Sequence, residues 1–289
     1  YIQEHRGASA VYLTHQNSSK RGIDNSSDKI NKLLSEILPY FRQTMPNNQI
    51  NGHLDSLSNT ISNLNSEVKN ASITKNDSFI EHTKLISEIS SEVVPNISEY
   101  FYLRYDPAPE TYHLVIASND DLPKVLEGVT RLRSLGAGVL SLGVIDIEQA
   151  GLLHIAIDNV RDAFTLLSHN VDVAIAASDD AQVFALKGEV AKLKREFNEF
   201  AELIDHELFQ KSVLSYSSAQ FFEDSNRMID DFHLFAEHTN SVLEKRLSEK
   251  VTEANWLLYE AVIFISALIM ISFILGVAIV RSVLVAVRV

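Results

Sequence analysis

The chain has no cysteine, so it holds no disulfide framework, no thiolate metal site and no cysteine nucleophile. Phosphate-cradling glycine loops are missing too. Neither GxGxxG nor GxxxxGKS/T occurs, and there is no GxSxG elbow and no HExxH pair. Basic charge is scarce: 25 Lys and Arg stand against 38 Asp and Glu, for a net charge of −13. No basic stripe is left to collect phosphates, which excludes nucleic acid as a partner. The ten histidines are scattered and read mostly as solvent-facing. With no catalytic constellation, the chain is read as holding no enzyme, no metal and no cofactor. An absence of cysteine also suits a bacterial periplasmic domain. Residue 1 is Tyr rather than Met, and we expect a fragment or processed product whose N-terminal signal or first membrane segment precedes it.

Between Gly188 and Gly276 there is neither Gly nor Pro. If continuous, a helix over that stretch runs about 130 Å at about 1.5 Å per residue, with a hinge at "SYSSAQ" (215–220) as the alternative. It ends in "LLYEAVIFISALIMISFILGVAIV" (257–280), with one ionisable group in 24 positions. That is enough to cross about 30 Å of hydrocarbon. Trp256 and Tyr259 mark one interface, and Arg281 and Arg288 follow the other. The positive-inside tendency then puts the C-terminus in the cytoplasm and residues 1–254 outside, in the periplasm. Glu260, one turn from Trp256, reads as snorkelling to the headgroups.

The rest is helical in pattern. Ile50, Leu54, Leu57, Ile61, Leu64 and Val68 recur in steps of three and four, as do Leu186, Val190, Leu193, Phe197, Phe200 and Ile204. Breaks fall at 17–28, 46–52, 72–78, 106–110 ("DPAPE") and 119–123 ("NDDLP"), with Asp28, Asn76 or Asp77, and Asp121 as N-cap candidates. Helices are predicted at about 1–17, 28–45, 50–71, 77–104, 122–143 and 146–176. "TYHLVIAS" (111–118) is the only strand-like stretch, and its helical flanks argue against a strand. The expected fold is all-α: elongated up-and-down bundles, two stacked four-helix modules, continuing into a C-terminal transmembrane helix. The expected divisions are 1–105, 106–254, 255–280 (membrane) and 281–289 (start of a cytoplasmic linker).

The arginines sort by face. Arg195, Arg227 and Arg161 have acidic neighbours on their own helices and read as solvated charges. Arg6 shares its stripe with Ile2, Ser9 and Leu13, and Arg133 lies among Leu126, Val129, Ala137, Leu140 and Val144. Neither has an acid at i±3 or i±4. "HRGASAVYL" (5–13) is echoed by "LRSLGAGVL" (132–140), which hints at duplication. Gly136 and Gly138 read as room for a close helix or a ligand. A guanidinium in a packing face needs an anion, and its fork suits a carboxylate, nitrate or phosphate. Two readings stay open: a glutamate from another helix, or a small anionic or polar ligand between helices. Arg131 points elsewhere on the helix but within reach of the same region.

The opening Gln3-Glu4-His5-Arg6-Gly7-Ala8-Ser9-Ala10-Val11-Tyr12-Leu13 resembles the start of nitrate- and nitrite-sensing (NIT) type sensor domains. The resemblance implies two coaxial four-helix bundles, a homodimer, and arginines on the first and middle helices holding the anion. Those roles fall on Arg6 and on Arg133 or Arg131, with His5 and Ser9 beside them. His5 departs from the family, which more often has Glu or Arg there. "RSVLVAVRV" (281–289) resembles the first residues of a HAMP linker, with Ala286 where its proline usually stands. The expected function is the periplasmic sensing and transmembrane region of a bacterial chemoreceptor, a methyl-accepting chemotaxis protein in the inner membrane. Its rivals are the same sensor on a histidine kinase or diguanylate cyclase, and a membrane-anchored structural rod with no small ligand.

Overall fold

The computed structural model describes residues 1–14, 20–46, 48–211 and 213–287, with side chains to residue 281. Among them it is all-α, with no strand. The helices are α1 (Ile2–Thr14), α2 (Arg21–Thr44), α3 (Gln49–Lys69), α4 (Lys75–Glu88), α5 (Val94–Tyr100), α6 (Pro109–Ile116), α7 (Leu122–Leu142), α8 (Ile147–Ala176), α9 (Ala181–Ile204) and α10 (Ser218–Val287). Their ends follow capping chemistry. Asn48, Thr74 and Asp180 each accept a hydrogen bond from a main-chain N–H of the first turn, and Asp146 forms a reciprocal capping box with Gln149. Gly143 closes α7 at φ 72°, a left-handed conformation that costs glycine little.

Tyr1–Asn240 forms one compact unit. Within it α1 to α4 alternate in direction, as the pairs Glu4–Lys29, Arg42–Asp55, Asp24–Lys69 and His53–Glu88 fix. Their core holds Ile23, Met45, Leu54, Leu57, Leu64, Val68 and Leu85. Helices α7 to α10 alternate likewise. Gly128 abuts Val160, Lys187 pairs with Asp172, His238 with Glu189, and Arg133 with Asn226. Phe164 sits between Phe197 and Phe232, with ring centroids 5.6 and 5.7 Å away. The seams read from the sequence are the buried ones: Leu186, Val190, Leu193, Phe197, Phe200 and Ile204 are all in the core, and of the earlier stripe only Ile61 is partly open.

Several boundaries differ from the sequence reading. Helix α2 starts at Arg21, so Asp28 lies inside it, and the cap of α4 is Thr74 rather than Asn76 or Asp77. Residues 15–19, which hold part of the first expected break, lie outside the described residues. "NDDLP" is no break: π-helical turns Ile89–Val93 and Ala117–Asp121 run directly into α5 and α7. Each turn precedes an X-Pro step, Val94-Pro95 and Leu122-Pro123, and the wider winding takes the proline without ending the helix. Asp121 therefore caps nothing, and its carboxylate accepts from Asn170 Nδ2 at 2.6 Å instead.

The long helix is also two. α9 passes through a π-helical turn at Asp205–Phe209, the chain leaves helix, and α10 starts at Ser218, within the alternative hinge. Antiparallel packing that sets Phe200 against Phe221, ring centroids 5.1 Å apart and tilted by 37°, buries seams that a single helix leaves in water. Helix α10 contributes its first part to the compact unit. The remainder, from Ser241, belongs to a second unit, in which every residue from Val251 to Arg281 is exposed. This segment is long and apolar enough to cross a membrane. The side chains of the HAMP-like stretch beyond Arg281, Ala286 and Arg288 among them, lie outside the described residues.

Candidate functional site

Helix α1 delivers Arg6 to the middle of the compact unit, where 2% of the residue meets solvent. Its fork is filled. Nη1 donates to Glu127 Oε1 at 2.7 Å and Nη2 to Oε2 at 3.0 Å, a bidentate pair from α1 to α7. Thr83 Oγ1 and Thr130 Oγ1 accept at 2.9 and 3.0 Å, and the guanidinium lies 5.0 Å over the Phe79 ring. Gln3 Nε2 adds a third contact to the Glu127 carboxylate.

Arg133 lies nearby on α7, 7% exposed, and is held differently. Nη1 donates to Asn226 Oδ1 on α10 at 2.6 Å, and the guanidinium packs 4.7 Å over Phe222. Nε has no hydrogen-bond partner, and no carboxylate lies within ion-pair range among the described residues. Burial, and then the charge of Arg6, bring its pKa down to about 10. Gly7 makes this approach feasible: a Cβ there would stand 3.1 Å from Arg133 Nη2. Arg6 thus takes the one close carboxylate, and Arg133, whose charge is met only from a distance by Glu4 and Asp230, leaves an excess of positive charge within hydrogen-bonding range.

His5 and Ser9 turn away from Arg133. Ser9 Oγ donates to His5 O at 2.7 Å, within its own helix. His5 Nδ1 lies 2.7 Å from His82 Nε2, His82 Nδ1 donates to Ser78 O at 2.6 Å, and His5 Nε2 stands 3.2 Å from the Asn65 amide. Both rings are buried, and His82 thereby departs from the solvent-facing reading of most histidines. Desolvation lowers both pKa values, that of His82 to about 4. The Asn65 amide counts protons here. Its oxygen toward His5 goes with one imidazolium in the pair, and its NH2 toward His5 goes with two neutral rings.

Arg131 occupies a third environment. It lines a cleft between α4, α7 and α8, half-buried, with Nε unpartnered. The five sequence candidates therefore fall into three places: Arg6 and Arg133 together, His5 and Ser9 in the histidine network, Arg131 in the cleft. Of the two small residues at 136 and 138, Gly136 is the close contact, where a Cβ would stand 2.4 Å from Phe221; Gly138 faces open space.

Sequence reasoning missed Glu127, Asn226 and His82. Glu127 is four residues before Arg131, so the local i,i+4 rule directs it there rather than to Arg6. Among the described residues no group of three metal-binding side chains occurs. Set against family models, curated proteins and solved structures, the chain matches none.

Proposed function

We propose that this chain is the ligand-sensing and transmembrane signalling region of a bacterial membrane receptor of the chemoreceptor kind. One observation carries the reading. Arg133 is buried without a carboxylate beside the already paired Arg6, and its one hydrogen-bond partner is on α10, the helix that contains the apolar segment. A small anionic or polar ligand, such as nitrate, nitrite or a carboxylate, relieves that excess charge between helices. By binding one helix arrangement better than another, it shifts Asn226 and Phe222 with it. The resemblance of residues 3–13 to NIT-type domains supports this and adds a homodimer, and the positive-inside tendency around the apolar segment supports residues 1–254 as periplasmic and the C-terminus as cytoplasmic.

Thermal unfolding of the full chain in nanodiscs tests it against nitrate, nitrite, carboxylates and amino acids. Stabilisation that Arg133→Met abolishes is expected; none by any ligand, or equal stabilisation of that variant, refutes it. The complete set of protein partners around Arg6 favours a second reading, a membrane-anchored helical bundle with no small ligand. The same measurement separates the two.

A further inference from the structure

Arg6 and Arg133 are buried, whereas Arg131 is half-buried and lines a cleft open to solvent. The cleft it lines has a volume of about 560 Å³, within the roughly 300–1,000 Å³ usual for small-molecule sites. Along α7 its polar wall is the stripe Lys124, Glu127, Arg131, spaced three and four apart. The acids on that side are largely committed: Glu127 to Arg6, and Asp120 to Arg104. Lys124 has only a long contact to Asp121, at 3.9 Å, and Arg131 has no protein partner among the described residues. The wall is therefore cationic in effect, although Asp162 stands on its rim. The same cleft is lined by Ile86, Leu152, Ile155 and Leu166, three of them on α8 and at least two-fifths exposed. Both π-helical turns reach the cleft, through Ser90, Ser91 and Asp120. Such turns are frequent at functional sites.

We infer that this cleft binds a small carboxylate with a branched apolar body, the carboxylate forked on Arg131 and met by Lys124, the body against Ile155 and Leu166. The Arg131 guanidinium supplies two parallel donors, and the exposed apolar side chains supply area to bury. Glu127 is the cleft's link to the interior, because its carboxylate is 19% exposed on one side and grips Arg6 on the other. The inference gives the sensor reading an entrance and rests on it only for biological use; binding itself is measured separately.

The test is calorimetric titration of the full chain in nanodiscs with three probes of one shape: 4-methylpentanoate, leucine and 3-methylbutylamine. The two carboxylates are expected to bind and the amine is not. Arg131→Met, which keeps the apolar stem, should weaken carboxylate binding by about tenfold or more. Asn159→Trp on the exposed rim should block it while leaving unliganded unfolding unchanged. No heat from any probe, an amine that binds as well as the acids, or undiminished binding by Arg131→Met overturns the inference. A carboxylate that binds with these preferences but moves no spin label on α10 upholds the cleft and removes the sensor reading instead.

Discussion

Replacing Glu127 with Gln isolates what one carboxylate does in this fold. The substitution keeps the shape but turns one oxygen into an NH2, which faces an arginine that only donates. Arg6 stays charged and buried, with two threonine hydroxyls and the face of Phe79 in place of an anion. Breaking a buried ion pair on one side costs about 3–5 kcal/mol. The 19% exposure of the Glu127 side chain lets water reach part of the site, which brings the expectation to about 2–3 kcal/mol. At about 2–4 °C per kcal/mol for a domain of this size, the midpoint should fall by about 4–12 °C. Thermal unfolding of wild type, Glu127→Gln, Arg6→Met and the double variant closes a cycle. The double variant should recover most of the loss, because a neutral amide facing an apolar Met stem leaves no orphan charge. A single-variant loss under about 1 kcal/mol, or additive losses in the cycle, would refute the assignment of this pair as the centre of the α1–α7 contact.

The histidine pair makes stability pH-dependent. Between 6.5 and about 4 the unfolded chain binds a proton at His82 that the folded chain refuses. Stability is therefore complete above about pH 6.5 and declines by up to about 3 kcal/mol as the pH falls toward 4. Urea unfolding across that window should show the slope, and His82→Gln should flatten it. Gly136→Ala drives a methyl into Phe221 and should cost about 1–3 kcal/mol, whereas Gly138→Ala meets nothing and should stabilise by up to about 1 kcal/mol; chemical denaturation of the two variants decides. Because the chain has no cysteine, single cysteines at 254 and 284 report topology cleanly: an impermeant maleimide should label the first in intact cells and the second only after lysis. Labelling of both from outside would refute the proposed orientation.

The helical faces were legible because burial repeats at 3.6 residues, and Leu186 to Ile204 fall on the core side without exception. Arg6 and Arg133 were legible by the same rule, as charges in apolar stripes. Their partners were not, because nothing local joins residue 6 to 127 or 133 to 226. The histidine pair is likewise made by packing, across 77 positions. The split between α9 and α10 has no glycine or proline to announce it. Only the serine-rich 215–220 hinted at it, and the packing of Phe200 against Phe221 goes with it. At Pro123 the sequence signal was real and its outcome different, since the backbone widened instead of stopping.

Each of those widened turns holds one residue more than an α-helix of the same rise, and so bears on length variation. Removing a single residue within 89–93 or 117–121 restores ordinary winding and keeps the faces of the flanking helices in register. It also brings the ring of Pro95 or Pro123 against the carbonyl four residues before it. A one-residue deletion there should be tolerated only together with replacement of the following proline. Drift in chain length at these two places is thus tied to the identity of one downstream residue, and the two changes are expected to arise as a pair.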